Sequence, residues 1–173
     1  MDKKYIFPKD FWWGSATSGP QSEGDFNKPH KSVFDYWYEV EPEAFFDRVG
    51  PSVTSNFYNS YKEDLAMLKE IGLNSFRTSI QWTRLVKDLE TGEPDEDAIR
   101  FYNDVIDETI KTFGKLDILV NNAGVLDHAL LPIEAVDEND VNFVIDVNTK
   151  GTINITNVAA KVMLENKSGA IIN

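Results

Sequence analysis

The chain is rich in carboxylates and poor in every other group that does acid–base or nucleophilic chemistry. Asp and Glu number 29, against two His and no Cys. Without Cys there is no thiolate nucleophile, no disulfide and no Cys-based metal site. His30 and His128 show no ligand spacing, so a surface or loop role is expected of both rather than metal binding. Asp35, Glu39 and Asp64 could act as hydrolytic carboxylates. Spacing, however, gives none of them a base, a nucleophile or a metal as partner.

Charge narrows the partners. The net charge is −12, and both halves of the chain are acidic. Phosphate-binding surfaces need clustered Lys and Arg, so neither nucleic acid nor an anionic membrane is an expected partner. No apolar run reaches the length of a membrane span, and the opening Met-Asp-Lys-Lys-Tyr lacks the apolar stretch of a signal peptide. The expected compartment is cytoplasmic. At 173 residues the chain has room for one domain with a real core and is too short for two ordinary ones.

A break in composition runs through it. All four Trp, all six Tyr and every Phe except Phe113 and Phe143 lie in residues 1–107. Beyond that point Ile, Val, Leu, Ala and Asn dominate. The change falls near residues 108–113, and it falls inside a helical pattern rather than in a linker.

The elements follow from periodicity and punctuation. Residues 11–17 form a first strand. Residues 18–53, broken by Pro20, Pro29, Pro42 and Pro51, read as a long irregular loop. Tyr58, Tyr61, Leu65 and Leu68 place one apolar face on a helix over 54–71, with Thr54 or Ser55 as its cap and Gly72 as its stop. Residues 75–80 form a second strand. A helix from about Asp95 to Thr112 carries Phe101, Tyr102, Val105, Ile106 and Ile110 on one face, with Gly114 as its stop. Leu116–Val120 is a third strand. Asp137 caps a long helix to about Glu165, and Ala170–Asn173 is the last strand. The expected fold class is α/β: four parallel strands in β-α-β-α-β-α-β order, a partial-barrel or Rossmann-like sheet with crossover helices on one face.

The first part carries a dense set of motifs. They are Phe7-Pro8, then Phe11-Trp12-Trp13-Gly14-Ser15-Ala16-Thr17-Ser18, then Gln21-x-Glu23-Gly24. Tyr61-Lys62-Glu63-Asp64 follows with Leu68, Gly72 and Leu73. Phe76-Arg77-x-Ser79-x-x-Trp82-x-Arg84 and Phe101-Tyr102-Asn103 with Ile106-Asp107 complete it. In this order they resemble glycoside hydrolase family 1, its 6-phospho-β-glucosidase and 6-phospho-β-galactosidase branch. The resemblance implies the first βα units of a retaining (β/α)8 barrel. It implies that Gln21 holds glycone hydroxyls after the first strand, and that Arg77 reaches toward the nucleophile from the second. Trp82 joins them as a substrate-binding residue. The alternative reading pairs Arg77 with a nearby carboxylate and packs Trp82. A retaining glycosidase needs two carboxylates about 5–5.5 Å apart, brought in this family by motifs like Asn-Glu-Pro and Glu-Asn-Gly. Neither occurs here.

The second part has its own signature. Phe113-Gly114-Lys115-Leu116-Asp117-Ile118-Leu119-Val120-Asn121-Asn122-Ala123-Gly124, Asp146-Val147-Asn148-x-x-Gly151 and Gly169-Ala170-Ile171-Ile172-Asn173 resemble the middle of a short-chain dehydrogenase/reductase. The resemblance implies that Asn121, Asn122, Ala123 and Gly124 lie near the riboses of a nicotinamide cofactor. It also makes Asn148 one isolated member of a catalytic Asn-Ser-Tyr-Lys set. The Gly-rich phosphate loop of that family is absent, so no cofactor is expected beyond weak residual binding of NAD or NADP.

The joint expectation is a chimera, engineered or accidental, folding as a single composite domain over 1–173. Residues 1–107 derive from a glycosidase barrel and 108–173 from a Rossmann fold. No catalysis by either parent chemistry is expected. Weak binding of a sugar phosphate or nicotinamide nucleotide at the C-terminal rim of the sheet is the first alternative, and a vestigial glycoside hydrolase the second. An uncovered sheet face or open edges would support a homodimer.

Overall fold

A computed structural model describes residues 5–126 and 132–173; His128 lies outside them. The structure is α/β, built from β1 (Gly14–Ala16), α1 (Gly19–Ser22), α2 (Val33–Val40), α3 (Phe57–Glu70), β2 (Ser75–Arg77), α4 (Trp82–Leu85), α5 (Glu96–Phe113), β3 (Ile118–Val120), α6 (Glu138–Ile145), α7 (Thr152–Asn166) and β4 (Ala170–Ile172). Among the described residues no helix is long and apolar enough to cross a membrane. Two compact units divide the chain, Met1–Gly114 and Lys115–Asn173.

The strands are parallel but shorter than their apolar runs. Instead of four in one sheet, they make two pairs: β1 with β2, and β3 with β4. In the first pair Ser15 lies opposite Phe76, and in the second Leu119 lies opposite Ile171. A three-residue parallel ladder holds few hydrogen bonds, and each of these is reinforced by an Asn side chain. Asn74 accepts from the Trp13 amide at 2.8 Å and donates to the Phe11 carbonyl at 3.0 Å. Asn121 donates to Thr156 at 3.0 Å and to Asn173 at 2.7 Å. Residues 78–80, expected to extend the second strand, leave the ladder instead.

In the first unit, α3 packs on α5 through Phe57, Tyr61, Leu65, Phe101, Tyr102 and Val105. The predicted stripes place Tyr61, Leu65, Phe101, Tyr102 and Val105 correctly, while Ile106 stays 41 % exposed. Asp95 caps α5 by accepting from the Ala98 amide, and Gly114 ends it at φ 102°, a left-handed conformation that favours glycine. Thr54 and Ser55 do not cap α3. Both hydroxyls donate to the Ser22 carbonyl, at 2.9 and 3.4 Å, and tie the preceding loop down. The expected long helix after Asp137 is divided into α6 and α7 by a π-helical turn over Asp146–Gly151.

The stretch 18–53 is more ordered than its prolines suggest. Ser32 and Asp35 form a capping box at α2, a Ser-x-x-Asp signal legible in the sequence. Lys28 donates to both carboxylate oxygens of Asp35, at 2.7 and 2.6 Å.

The segments that follow β1 and β2 are joined by a buried polar network. Arg84 donates from Nε to Glu23 Oε2 at 2.8 Å, and from its other nitrogens to the Phe26 and Gly24 carbonyls at 2.6 and 3.0 Å. Glu23 also accepts from Gln81 Nε2 at 2.8 Å and from the Tyr102 hydroxyl at 3.0 Å. The Tyr102 oxygen accepts from the Gln81 amide at 2.9 Å. The Arg84 guanidinium stacks on Tyr58 at 4.4 Å. Burial first, and then the Glu23 carboxylate, push the Tyr102 phenol well above its ordinary range.

Two predictions follow from these contacts. Glu23→Gln or Arg84→Met alone leaves an uncompensated buried group and should cost about 3–5 kcal/mol, whereas the double variant should cost clearly less than the sum. Urea unfolding read by Trp fluorescence measures all three, and strict additivity would refute the coupling. For Asp35, burial raises the carboxyl, but the hydrogen bonds from Lys28 and Ser32 outweigh it and hold it below its ordinary 3.8. Its stabilisation is therefore full above about pH 4 and is lost as pH falls through the folded-state value. The deficit in melting temperature of Asp35→Asn should be largest at neutral pH and shrink in acid; a pH-independent deficit would contradict this.

Candidate functional site

Parallel strands with following helices present ligand-binding groups where the chain leaves their C-terminal ends. In the first unit those ends are adjacent, because Ala16 lies opposite Arg77 and the Thr17 amide donates to the Arg77 carbonyl at 3.0 Å. Gln21 sits in α1 just beyond β1, exposed, with its Oε1 accepting from the Ser18 hydroxyl at 3.0 Å. Arg77 ends β2 and is exposed; among the described residues it has no ion pair with a carboxylate. Trp82 opens α4 and is 67 % exposed, so it is not a core residue. Gly19 abuts the Gln81 side chain so closely that a Cβ there would overlap it. The two rim segments are therefore locked through Gly19 against Gln81, and through the bonds of Glu23 to Gln81 and Arg84.

In the second unit the amides are largely committed to structure. Asn121 spends its side chain on Thr156 and Asn173, and its backbone N–H donates to the Ile172 carbonyl at 2.8 Å. Asn148, in the π-helical turn, accepts from the Val125 amide at 2.8 Å and donates to the Val125 carbonyl at 2.9 Å. That clamp fixes the segment after β3. Asn122, Ala123 and Gly124 are exposed beside it.

The candidate hydrolytic carboxylates do not meet. Asp35 is paired with Lys28, and Glu39 with Lys31 at 2.6 Å. Asp64, half-buried on α3, is raised by burial first and then by neighbouring Glu63. His30 Nε2 lies 3.0 Å from the Lys87 carbonyl. No group of three His, Asp or Glu among the described residues could hold a metal ion.

Two shallow cavities of about 300 and 320 Å³ open elsewhere in the first unit. One is lined by Glu23 to Phe26 with Thr54, the other by Tyr58, Arg100 and Asp104. Neither includes Gln21, Arg77 or Trp82. The sequence motifs include Glu23, Arg84 and Tyr102 but not Gln81, and nothing in them showed that the four form one network. The available signal was charge context, since no charged residue precedes Glu23 between residues 11 and 22.

Comparison with known proteins matches both parts. The family model for glycosyl hydrolase family 1 matches residues 3–115, and that for short chain dehydrogenase matches residues 87–173. The 6-phospho-beta-glucosidase GmuD of Bacillus subtilis is 54% identical over 110 residues, covering 62% of this chain and 23% of that protein. The aryl-phospho-beta-D-glucosidase BglH of the same organism is 38% identical over 113 residues, covering 61% and 24%. Among solved structures, an aphid myrosinase superposes with a TM-score of 0.57 at 30% identity, covering 67% of this chain and 25% of that one. The chain thus spans about a quarter of the length of these relatives. These matches overturn the expectation that the chain is not an enzyme, because a relative identical at more than half the aligned positions is a 6-phospho-beta-glucosidase and its family is enzymatic. The chain belongs to glycosyl hydrolase family 1 through residues 3–115 and to the short chain dehydrogenase family through residues 87–173.

Proposed function

We propose that the first unit is a glycone-recognising segment of the family 1 glycosidase type, selective for a 6-phosphorylated β-glucoside or its sugar phosphate, joined through α5 to a dehydrogenase-derived second unit. The observation that carries this reading is the rim itself. Gln21 and Trp82 stand exposed where the chain leaves two paired parallel strands, on segments locked by the Glu23–Arg84 network. An amide that can both donate and accept suits vicinal hydroxyls, and an exposed indole offers an apolar face to a sugar ring. The name of the GmuD relative supports a phosphorylated glucoside as the ligand class.

A nicotinamide nucleotide is the weaker reading. It would use Asn121, Asn122, Ala123 and Gly124, and the Asn121 side chain is already engaged by Thr156 and Asn173. The two family matches overlap over residues 87–115, which supports α5 as the shared joint of a fusion.

Titration calorimetry tests the reading. Glucose 6-phosphate should bind with a dissociation constant on the order of 1 mM, equivalent to about −4 kcal/mol. Gln21→Ala and Trp82→Ala should each weaken it several-fold while leaving circular dichroism unchanged. No heat with the sugar phosphate, or tighter binding of NAD or NADP, would refute the assignment.

A further inference from the structure

Two helices of the first unit, α3 and α5, border the cavity of about 320 Å³ on which several polar side chains converge. Tyr58 and Tyr61 come from α3, Asp97, Arg100 and Asp104 from α5, and Asn27 from the loop ahead of α2. The three α5 residues fall at i, i+3 and i+7, so one helix face carries them all. Both walls lie within a single compact unit, and no strand residue lines the cavity.

Most of these groups are unspent. Tyr61 is only 8 % exposed, and its hydroxyl makes no hydrogen bond among the described residues. Gln81 Oε1 is the only fully buried side-chain oxygen or nitrogen without a partner there, so the Tyr61 hydroxyl is reached from outside, and the cavity is the opening that this residue lines. The Tyr61 ring packs on Phe101 at 5.9 Å, and the Tyr58 ring contacts Phe101 and the Arg84 guanidinium, each at 4.4 Å. The rings belong to the core, and the hydroxyls are what they have left to offer. Asp97 is paired with Arg100. Among the described residues Asp104 has no ion pair, and neither the Tyr58 hydroxyl nor the Asn27 side chain has a hydrogen-bond partner.

The mixture of groups selects the ligand. Phenol hydroxyls and the Asn amide both donate and accept, a carboxylate accepts and a guanidinium donates. An anion would face the carboxylates of Asp97 and Asp104, and a cation would face Arg100. No three acidic or His side chains among the described residues gather to hold a metal. A neutral ring bearing vicinal hydroxyls presents donors and acceptors side by side, and the volume stands at the lower end of the range that small ligands fill. We propose that this cavity is a second sugar site, taking a neutral, unphosphorylated pyranose. Gln21, Arg77 and Trp82 do not line it, so it is independent of the rim and of the ligand assigned there.

Chemical-shift mapping of the full chain with methyl β-D-glucoside tests this. The amides of Tyr61, Arg100 and Asp104 and the side-chain amide of Asn27 should shift with millimolar affinity, and equally so when Gln21→Ala and Trp82→Ala are combined to remove the rim groups. Tyr61→Phe, which keeps the ring in the core, and Asp104→Asn, at an exposed position, should each weaken binding several-fold with unchanged circular dichroism. No shift around the cavity, binding undiminished by either variant, or shifts lost with the rim groups would overturn the proposal. A stronger response there to glucose 6-phosphate or to ethylammonium would overturn it as well, by assigning the cavity to an ion.

Discussion

The ion pair between Glu23 and Arg84 is the constraint on which the first unit depends. Both side chains are fully buried, and an isolated charge of either sign would be prohibitive there. The pair is tolerated because nearly every bonding position on it is used. Glu23 accepts from Arg84, Gln81 and Tyr102, while Arg84 also reaches the carbonyls of Gly24 and Phe26. The only buried side-chain atom left without a partner among the described residues is Gln81 Oε1. Such a network has one workable geometry. It therefore sets the relative positions of the segment after β1, the turn into α4 and the face of α5, which no apolar contact would define as sharply.

A second device recurs in both units. Short parallel pairs cannot hold register by hydrogen-bond number alone, and here an Asn amide supplies the missing specificity. Asn74 grips the backbone of Phe11 and Trp13 ahead of β1. In the second unit Asn121 reaches Asn173 across the pair, and Asn148 grips both backbone groups of Val125 where the chain leaves β3. Asn74 and Asn148 each donate and accept at once, so they recognise backbone as another strand would. Asn148 reaches Val125 from within the π-helical turn, a local irregularity of the kind that accompanies demanding side-chain placement.

These devices explain what could be read from the sequence and what could not. Helix faces were legible because period and apolarity act locally: Tyr61, Leu65, Phe101, Tyr102 and Val105 appear in the core as their spacing predicts. The cap at Asp137 was legible for the same reason. Strand pairing was not, because four apolar runs carry no information about which neighbours hydrogen-bond, and the side chains that reinforce it lie 52 to 63 residues from their partners. The Glu23–Arg84 pair, 61 residues apart, was hidden in the same way. Thr54 and Ser55 failed as caps because α3 begins at Phe57 with Asn56 at the cap position, while their hydroxyls donate to the Ser22 carbonyl, distant in sequence.

The composition break and the boundary between compact units do not coincide, and the offset has a physical cause. Aromatic-rich sequence gives way to aliphatic sequence near residue 108, yet the first unit extends to Gly114. A helix carries its hydrogen bonds internally, so its last turns need only continue the apolar stripe of the first. Here Phe113, from the dehydrogenase-like side of the break, packs against the α3–α5 core, with the Lys69 ammonium 5.7 Å from its ring. Gly114 then stops the helix in a left-handed turn that another residue would adopt at a cost. A joint placed within α5 therefore asks nothing of the backbone, and the sequence beyond it is captured by the first unit until the glycine releases it.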